Sequence, residues 1–234
     1  MQIAEGVYSI GQRNGGRVHA YLFDSPHELT LVDTLFDTDA RRVLDCIKRI
    51  GRSPGDLKHI ALTHAHRSHL GGLAKLKQCS NARVHAHEWE ADIIAGDRLA
   101  QPVSLRPRGP LSTYVFRIGL AVGRPKHQPC PVDRLLREGD QVGPLRVVHI
   151  PGHTPGHLAF HWEERNVLAV GDAVATWPRI GAGWPGFNLN ERLYRDSLRN
   201  LARIEAEVIA VGHGDPLTED AVDRVHAMAE GSPA

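Results

Sequence analysis

Three histidines lie within six residues of the chain, at His64, His66 and His69 in the segment LTHAHRSHLGG. His64 and His66 alternate as they would on an extended segment, so both imidazoles can face the same way. Ser68 directly precedes the third histidine. Neutral imidazole is a common ligand of zinc and related transition metals. The cluster therefore predicts a metal site, although each histidine taken alone can also be a surface residue of a loop.

Three later segments carry further candidate ligands beside glycine. They are PGHTPGH with His153, VGD with Asp172 and VGHGD with His213. Each candidate is expected where a strand meets a loop, because a strand end holds a side chain on a rigid frame that solvent can reach. Glycine and proline beside the candidates let the backbone turn sharply. Together the segments predict a site of several imidazoles and one carboxylate.

The segment THAHRSHLGG resembles the signature of the metallo-β-lactamase superfamily, H-x-H-x-D-H followed by two glycines. The later histidine, aspartate and G-H-G segment follow in that family's order, so the resemblance extends over nearly the whole chain. It implies a metal centre with two sites. The implied ligands are His64, His66 and His153 for the first metal and His69 and His213 for the second, with Asp172 bridging both.

Ser68 stands where the resemblance calls for an aspartate. In the family that aspartate binds the second metal and orients the nucleophile, whereas a serine hydroxyl is neutral and a weak zinc ligand. We therefore expect the second site to bind metal less tightly than the first, with Ser68 and Asp172 as candidate catalytic residues. Tyr194, near the start of a helix, is a third candidate that can hydrogen-bond a substrate carbonyl or pack inward. The resemblance also implies that Asp33 in LVDT supports the site from behind the ligands.

Several other histidines and aromatic residues receive different interpretations. His157 is expected to be structural or to support a ligand, and the His85–His87 pair is expected to be structural. His19, His59, His149 and His161 lie within or beside apolar strands, where packing is the expected role. Trp177, Trp184 and Phe187 can line a substrate pocket or simply pack their loop.

The order of strands and helices predicts an α/β (α+β) fold in which two mixed β-sheets form a sandwich with helices outside, the αββα fold that the resemblance also implies. One domain over residues 1–234 is expected. The segment at about 101–131 is rich in proline and arginine, and it predicts a loop or partly helical insertion that covers a cleft. The Gly-, Pro- and Trp-rich loop over 177–190 is expected to wall the same cleft.

Composition argues against several classes of partner. A net charge of +1 over 234 residues gives no reason to expect nucleic acid or an acidic membrane. The three cysteines form no C-x-x-C pair, and no signal peptide or membrane-spanning run is visible. We therefore expect a cytoplasmic protein with a small-molecule substrate, and a homodimer stays open.

The resemblance implies a metal-dependent hydrolase in which a metal-bound hydroxide attacks a small ester, lactone, thioester or amide carbonyl. A lactonase or esterase activity is favoured. One or two zinc ions are the expected cofactor, with iron or manganese as alternatives. A β-lactamase, a mononuclear iron dioxygenase of the same fold and a non-catalytic binding member stay open.

Overall fold

The computed structural model describes residues 1–105, 111–122, 126–184 and 186–231. Twelve strands are found in these residues: β1 Gln2–Ala4, β2 Val7–Gln12, β3 Val18–Asp24, β4 Leu29–Val32, β5 Leu57–Ala61, β6 Arg83–His87, β7 Arg134–Leu136, β8 Gln141–Val142, β9 Leu145–His149, β10 Leu158–Trp162, β11 Val167–Ala175 and β12 Val208–His213. The helices are α1 Asn14–Arg17, α2 Arg41–Arg49, α3 Arg67–Leu70, α4 Leu73–Ser80, α5 Glu88–Ala95, α6 Tyr114–Ala121, α7 Glu191–Leu201 and α8 Ala221–Ala229. No helix among the described residues has both the length and the apolar character needed to cross a bilayer.

Three buried clusters define the layers. One lies between strands β2–β6 and helices α2, α4 and α5, and another lies between strands β10–β12 and helices α7 and α8. The third lies between the two halves of the sheet, where Phe23 and Val32 pack with Phe160 and Trp162. This order of helix, sheet, sheet and helix confirms the predicted αββα sandwich.

The two halves of the sandwich are also joined by hydrogen bonds. The strand order is β7-β6-β5-β4-β3-β12-β11-β10-β9-β8, and the halves meet where β12 pairs antiparallel with β3. The pair β4–β5 and the pair β11–β12 are both parallel. Parallel strands end at the same edge of a sheet. The residues that follow β4 and β5 in one half therefore lie at the edge where β12 ends in the other half.

The segment after the histidine cluster forms two short helices rather than the single helix that HLGGLAKLKQ predicts. Helix α3 ends at Leu70 and α4 begins at Leu73. A Cβ on Gly71 would lie 2.2 Å from the Phe36 carbonyl oxygen. The chain is therefore pressed against the loop after β4 at this point, a long-range contact that helical periodicity does not reveal.

Candidate metal centre

The six predicted ligands converge although they come from distant parts of the chain. His64 and His66 follow β5, His69 lies in α3, and His153 lies in the loop after β9. Asp172 lies within β11, and His213 is the last residue of β12. All six side chains are buried, with the largest exposed fraction, 7%, at His66. Buried polar groups need partners, and a cation bound among these imidazoles and the carboxylate would supply one.

The first group consists of His64, His66, His153 and Asp172. His66 Nδ1 lies 3.0 Å from His64 Nε2 and 3.1 Å from His153 Nε2. The Asp172 Oδ2 atom lies 3.7 Å from His64 Nε2 and 3.5 Å from His153 Nε2. Three nitrogens and a carboxylate oxygen therefore point at one small volume.

The second group consists of His69, Asp172 and His213. His69 Nε2 lies 3.3 Å from Asp172 Oδ1, and His213 Nε2 lies 3.3 Å from Asp172 Oδ2. Asp172 thus offers both of its oxygens to the second group and one of them to the first. This is the shared position that the sequence predicted for it.

Two tests of fit favour a metal at this place. Ligand atoms about 2.0–2.1 Å from a tetrahedral zinc ion lie roughly 3.3 Å from one another, close to the spacings of both groups. His69 Nε2 and Asp172 Oδ1 are also buried atoms without a hydrogen-bond partner among the described residues. The two atoms lie 3.3 Å apart, a separation that also suits two ligands of one ion, so a bound metal would satisfy both.

Hydrogen bonds on the far side of the rings orient the ligands. Asp33 accepts from the His69 ring at 2.8 Å and from the Thr63 hydroxyl at 2.8 Å. The His213 ring donates from Nδ1 to the Gly16 carbonyl at 2.8 Å, which leaves the lone pair of Nε2 free to bind a metal. His153 Nδ1 lies 3.3 Å from Asn188 Oδ1. Such outer contacts fix the tautomer and orientation of metal-binding histidines, and Asp33 lies behind His69, in the position that the resemblance implies.

The protonation states in the metal-free protein suit cation binding at the first group. Burial, with the neighbouring imidazoles, lowers the pKa of His64 and His66 well below the ordinary histidine value. Burial acts to raise the pKa of Asp172, but His213 and His69 hold it well below the usual range. Burial also acts to lower the pKa of His69, yet Asp33 and Asp172 raise it to about 10. Binding at His69 therefore displaces a proton.

Ser68 and Tyr194 differ in their relation to the site. Ser68 is half-buried and lines the cavity in front of the ligands. Tyr194 is 4% exposed, and its hydroxyl donates to the Ala173 carbonyl at 2.6 Å. Tyr194 does not line the cavity and packs in the cluster under α7 instead. Of the two roles left open for Tyr194, the structure shows inward packing, and its candidacy as a catalytic residue is withdrawn.

Glu90 was missed by sequence reasoning. Its carboxylate, 1% exposed, accepts from the Ala65 and Gly156 amides at 3.0 Å each. Ala65 lies between His64 and His66, and Gly156 lies in the loop that carries His153. Glu90 therefore ties both ligand-bearing loops to α5. The segment EWEADIIAG gives only a helix, so no local signal reveals this role.

The remaining histidines fall outside the ligand groups. His87 caps α5 by accepting from the Trp89 amide and stacks on His149, while His85 Nε2 lies 3.0 Å from His59 Nδ1. His157 is fully buried, and its Nε2 accepts from the Asp172 amide at 3.3 Å. His157 thus supports the bridging residue, in keeping with its predicted supporting role.

A cavity of about 480 Å³ opens in front of the ligands. His66, Asp172 and His213 form part of its wall, with Trp184 and Phe187 beside them. The Trp184 ring stacks on His213 at 3.9 Å between centroids. Trp177 does not line the cavity; its carbonyl accepts from Trp184 Nε1 and its ring packs on Trp184. The loop therefore both walls the cavity and packs on itself.

The family model of the metallo-beta-lactamase superfamily matches residues 13–213. The probable metallo-hydrolase YflN of Bacillus subtilis (strain 168) is 25% identical, over 93% of this chain and 87% of that protein. A hydroxyacylglutathione hydrolase of Cereibacter sphaeroides (strain ATCC 17025) is 28% identical, over 67% of this chain and 48% of that protein. The crystal structure of a metallo-beta-lactamase family protein from Thermus thermophilus superposes with a TM-score of 0.68 at 28% identity, covering 97% of this chain and 79% of that one.

The chain belongs to the metallo-beta-lactamase superfamily. It is a metallo-hydrolase of that fold.

Proposed function

We propose that this enzyme hydrolyses an ester-type carbonyl bond, a thioester, lactone or simple ester, in a small molecule. The observation that carries the proposal is the pair of adjoining ligand groups that share Asp172, because His66, Asp172 and His213 of these groups line the cavity. A substrate carbonyl in that cavity would lie against the side chains that can hold the metal. Two adjoining ligand groups suit hydrolysis better than a binding role alone.

We propose zinc as the metal, held first by His64, His66 and His153. The second ion would be held by His69 and His213, with Asp172 shared by the two. Divalent ions supply a water nucleophile at neutral pH and Lewis-acid stabilisation of a carbonyl oxygen. Iron and manganese use similar ligands, so metal analysis of protein purified without added metal decides between them.

The protein's own residues contribute position and exclusion of water. Asp33, Asn188 and the Gly16 carbonyl hold the ligand rings in fixed orientation, which keeps the nitrogens aimed at one volume. Trp184 and Phe187 cover the ligands from the side of the cavity. Electrostatic stabilisation is stronger in such a water-poor site than in bulk solvent.

The type of ester bond is supported by one relative. The hydroxyacylglutathione hydrolase of Cereibacter sphaeroides acts on a thioester by its name, but this chain spans about half of that protein's length. Thioester and oxygen ester are therefore compared directly, with substrates that share one acyl group and differ only in the leaving atom.

The test measures turnover of such matched substrates, with a lactone and a β-lactam beside them, by the metal-loaded protein. We expect hydrolysis of at least one ester-type substrate, and loss of both metal and activity in His66→Ala. His226 on α8 belongs to neither ligand group and provides a matched control, since His226→Ala should change neither. Full metal content without turnover of any substrate would contradict the proposal, and so would oxygen consumption by an iron-loaded form.

A further inference from the structure

We infer that the cavity is an acyl channel, which holds an unbranched apolar chain and leads from the metal centre to an apolar mouth at Leu99 and Val115. The inference rests on the proposed function, because it assigns the acyl half of that substrate. The inference assigns a binding site to the acyl chain of the substrate, whereas the proposed function assigns the ligand groups to the bond that is cleaved.

The walls of the cavity are mainly aliphatic and aromatic. Its volume of about 480 Å³ falls within the range of roughly 300–1,000 Å³ that is usual for small-molecule sites. Beyond the ligands, its lining includes Phe36, Ile93, Leu99, Phe116 and Leu120. An apolar chain in this space would exchange water for apolar contact along its length.

Helix α6 forms one wall of the cavity. Val115, Phe116, Gly119 and Leu120 all line the cavity, and the pairs 115–119 and 116–120 each lie one turn apart. Phe116 lies 5.3 Å from Trp184 between ring centroids, so α6 reaches the aromatic residues that cover His213. Gly119 contributes no side chain to this wall.

The cavity opens to solvent at exposed lining residues, which include Leu99, Val115 and Lys126. Leu99 and Val115 line the cavity, yet they are 63% and 65% exposed. A residue that both lines a cavity and meets solvent lies at its mouth. A chain longer than the channel would therefore emerge there rather than meet a closed end.

Arg67, Arg98 and Lys126 bring positive charge to the cavity lining, and both arginines are held by backbone carbonyls. Arg67 donates to the carbonyls of Phe36, at 2.5 Å, and Lys126, at 3.1 Å. Arg98 donates to the Trp89 carbonyl at 2.6 Å. These contacts hold both arginine side chains against the wall, and most of the remaining cavity surface is apolar.

The probe is the series of straight-chain primary alcohols from butanol to dodecanol, which has no carbonyl to hydrolyse. Binding to the metal-loaded protein is followed by tryptophan fluorescence, since Trp184 lines the cavity. We expect affinity to rise about fourfold per added methylene and then level off without falling, because longer chains leave through the mouth. Affinity that is independent of chain length, or lost abruptly for long chains, would overturn the channel.

Two neighbouring positions on α6 give a matched pair of variants. Gly119→Leu fills the channel and should make the affinity level off about four carbons earlier, since packed interiors have little spare volume. Ile118→Phe also enlarges a side chain, but Ile118 is 51% exposed and does not line the cavity, so it should change nothing. If Gly119→Leu does not fold, Leu120→Ala should lower affinity for every long alcohol several-fold. Equal behaviour of the wild type and the folded channel variant would overturn the inference.

The two proposals fail in different ways. Chain-length-dependent alcohol binding without hydrolysis of any ester would leave the channel standing and remove the hydrolase proposal. Hydrolysis of short and long acyl esters with equal kcat/KM, together with no alcohol binding, would leave the hydrolase standing and remove the channel.

Discussion

Replacement of Ser68 by aspartate should strengthen the second metal site. The group formed by His69, Asp172 and His213 contains one carboxylate, and Asp172 is shared with the first group. Ser68 is adjacent in sequence to His69 and lines the same cavity. Opposite unit charges about 4 Å apart attract by roughly 4 kcal/mol near a protein surface, and desolvation offsets much of this. A net gain of roughly 1.4–2.8 kcal/mol, or about ten- to a hundredfold in affinity, is expected.

The assay is a zinc titration against a competing chelator for the wild type, Ser68→Asp and Ser68→Asn. The asparagine has nearly the shape of the aspartate but no charge, so it separates electrostatics from size. We expect the wild type to bind one ion tightly and a second more weakly, Ser68→Asp to tighten only the second, and Ser68→Asn to resemble the wild type. Two equally tight ions in the wild type, with no gain in Ser68→Asp, would refute the charge argument.

Three further variants test the groups around the ligands. Glu90→Gln weakens an acceptor that holds two backbone donors, so it should lower zinc affinity about ten- to a hundredfold and reduce Tm by several degrees. Glu88→Gln, on the exposed side of α5, is the control and should change neither quantity. Equal zinc affinity and Tm for the two variants would exclude Glu90 as a positioning residue. Trp184→Ala removes the ring stacked on His213, so it should raise KM and lower the affinity for the second ion while the first ion stays bound. Unchanged kinetics and an unchanged zinc titration would show that this tryptophan is not part of the site. Gly16→Ala places a Cβ 2.3 Å from the Trp184 ring at a backbone φ of +86°. We therefore expect a lower affinity of the second metal site in a zinc titration and a lower Tm in a thermal melt. Wild-type values of both would show that the loop at Gly16 adjusts without cost.

The ligand residues could be predicted because each stands in a local pattern. His64 and His66 alternate after an apolar strand, and Asp172 and His213 each accompany a glycine at or near a strand end. The layered fold follows from the same strand and helix signals. These features depend on near neighbours in the sequence, where periodicity and turn chemistry carry information.

The supporting residues could not be predicted because their roles depend on contacts between distant segments. Glu90 acts through Ala65 and Gly156, which are 25 and 66 residues away. Gly16 reaches His213 across 197 residues. The sequence left Tyr194 either a contact with the substrate or an inward-packing role, and only the fold shows that its hydroxyl donates to the Ala173 carbonyl. Periodicity indicates that a helix exists and does not fix which distant group its side chains meet.

The central claim is that the buried histidines hold a metal, and anomalous diffraction at the zinc edge from crystals grown with zinc tests it most directly. We predict a strong anomalous peak about 2.0–2.3 Å from His64 Nε2, His66 Nδ1 and His153 Nε2. A weaker peak is predicted beside His69 and His213. Zinc-saturated crystals with no anomalous peak among these side chains, or with peaks only at surface residues, would contradict the account.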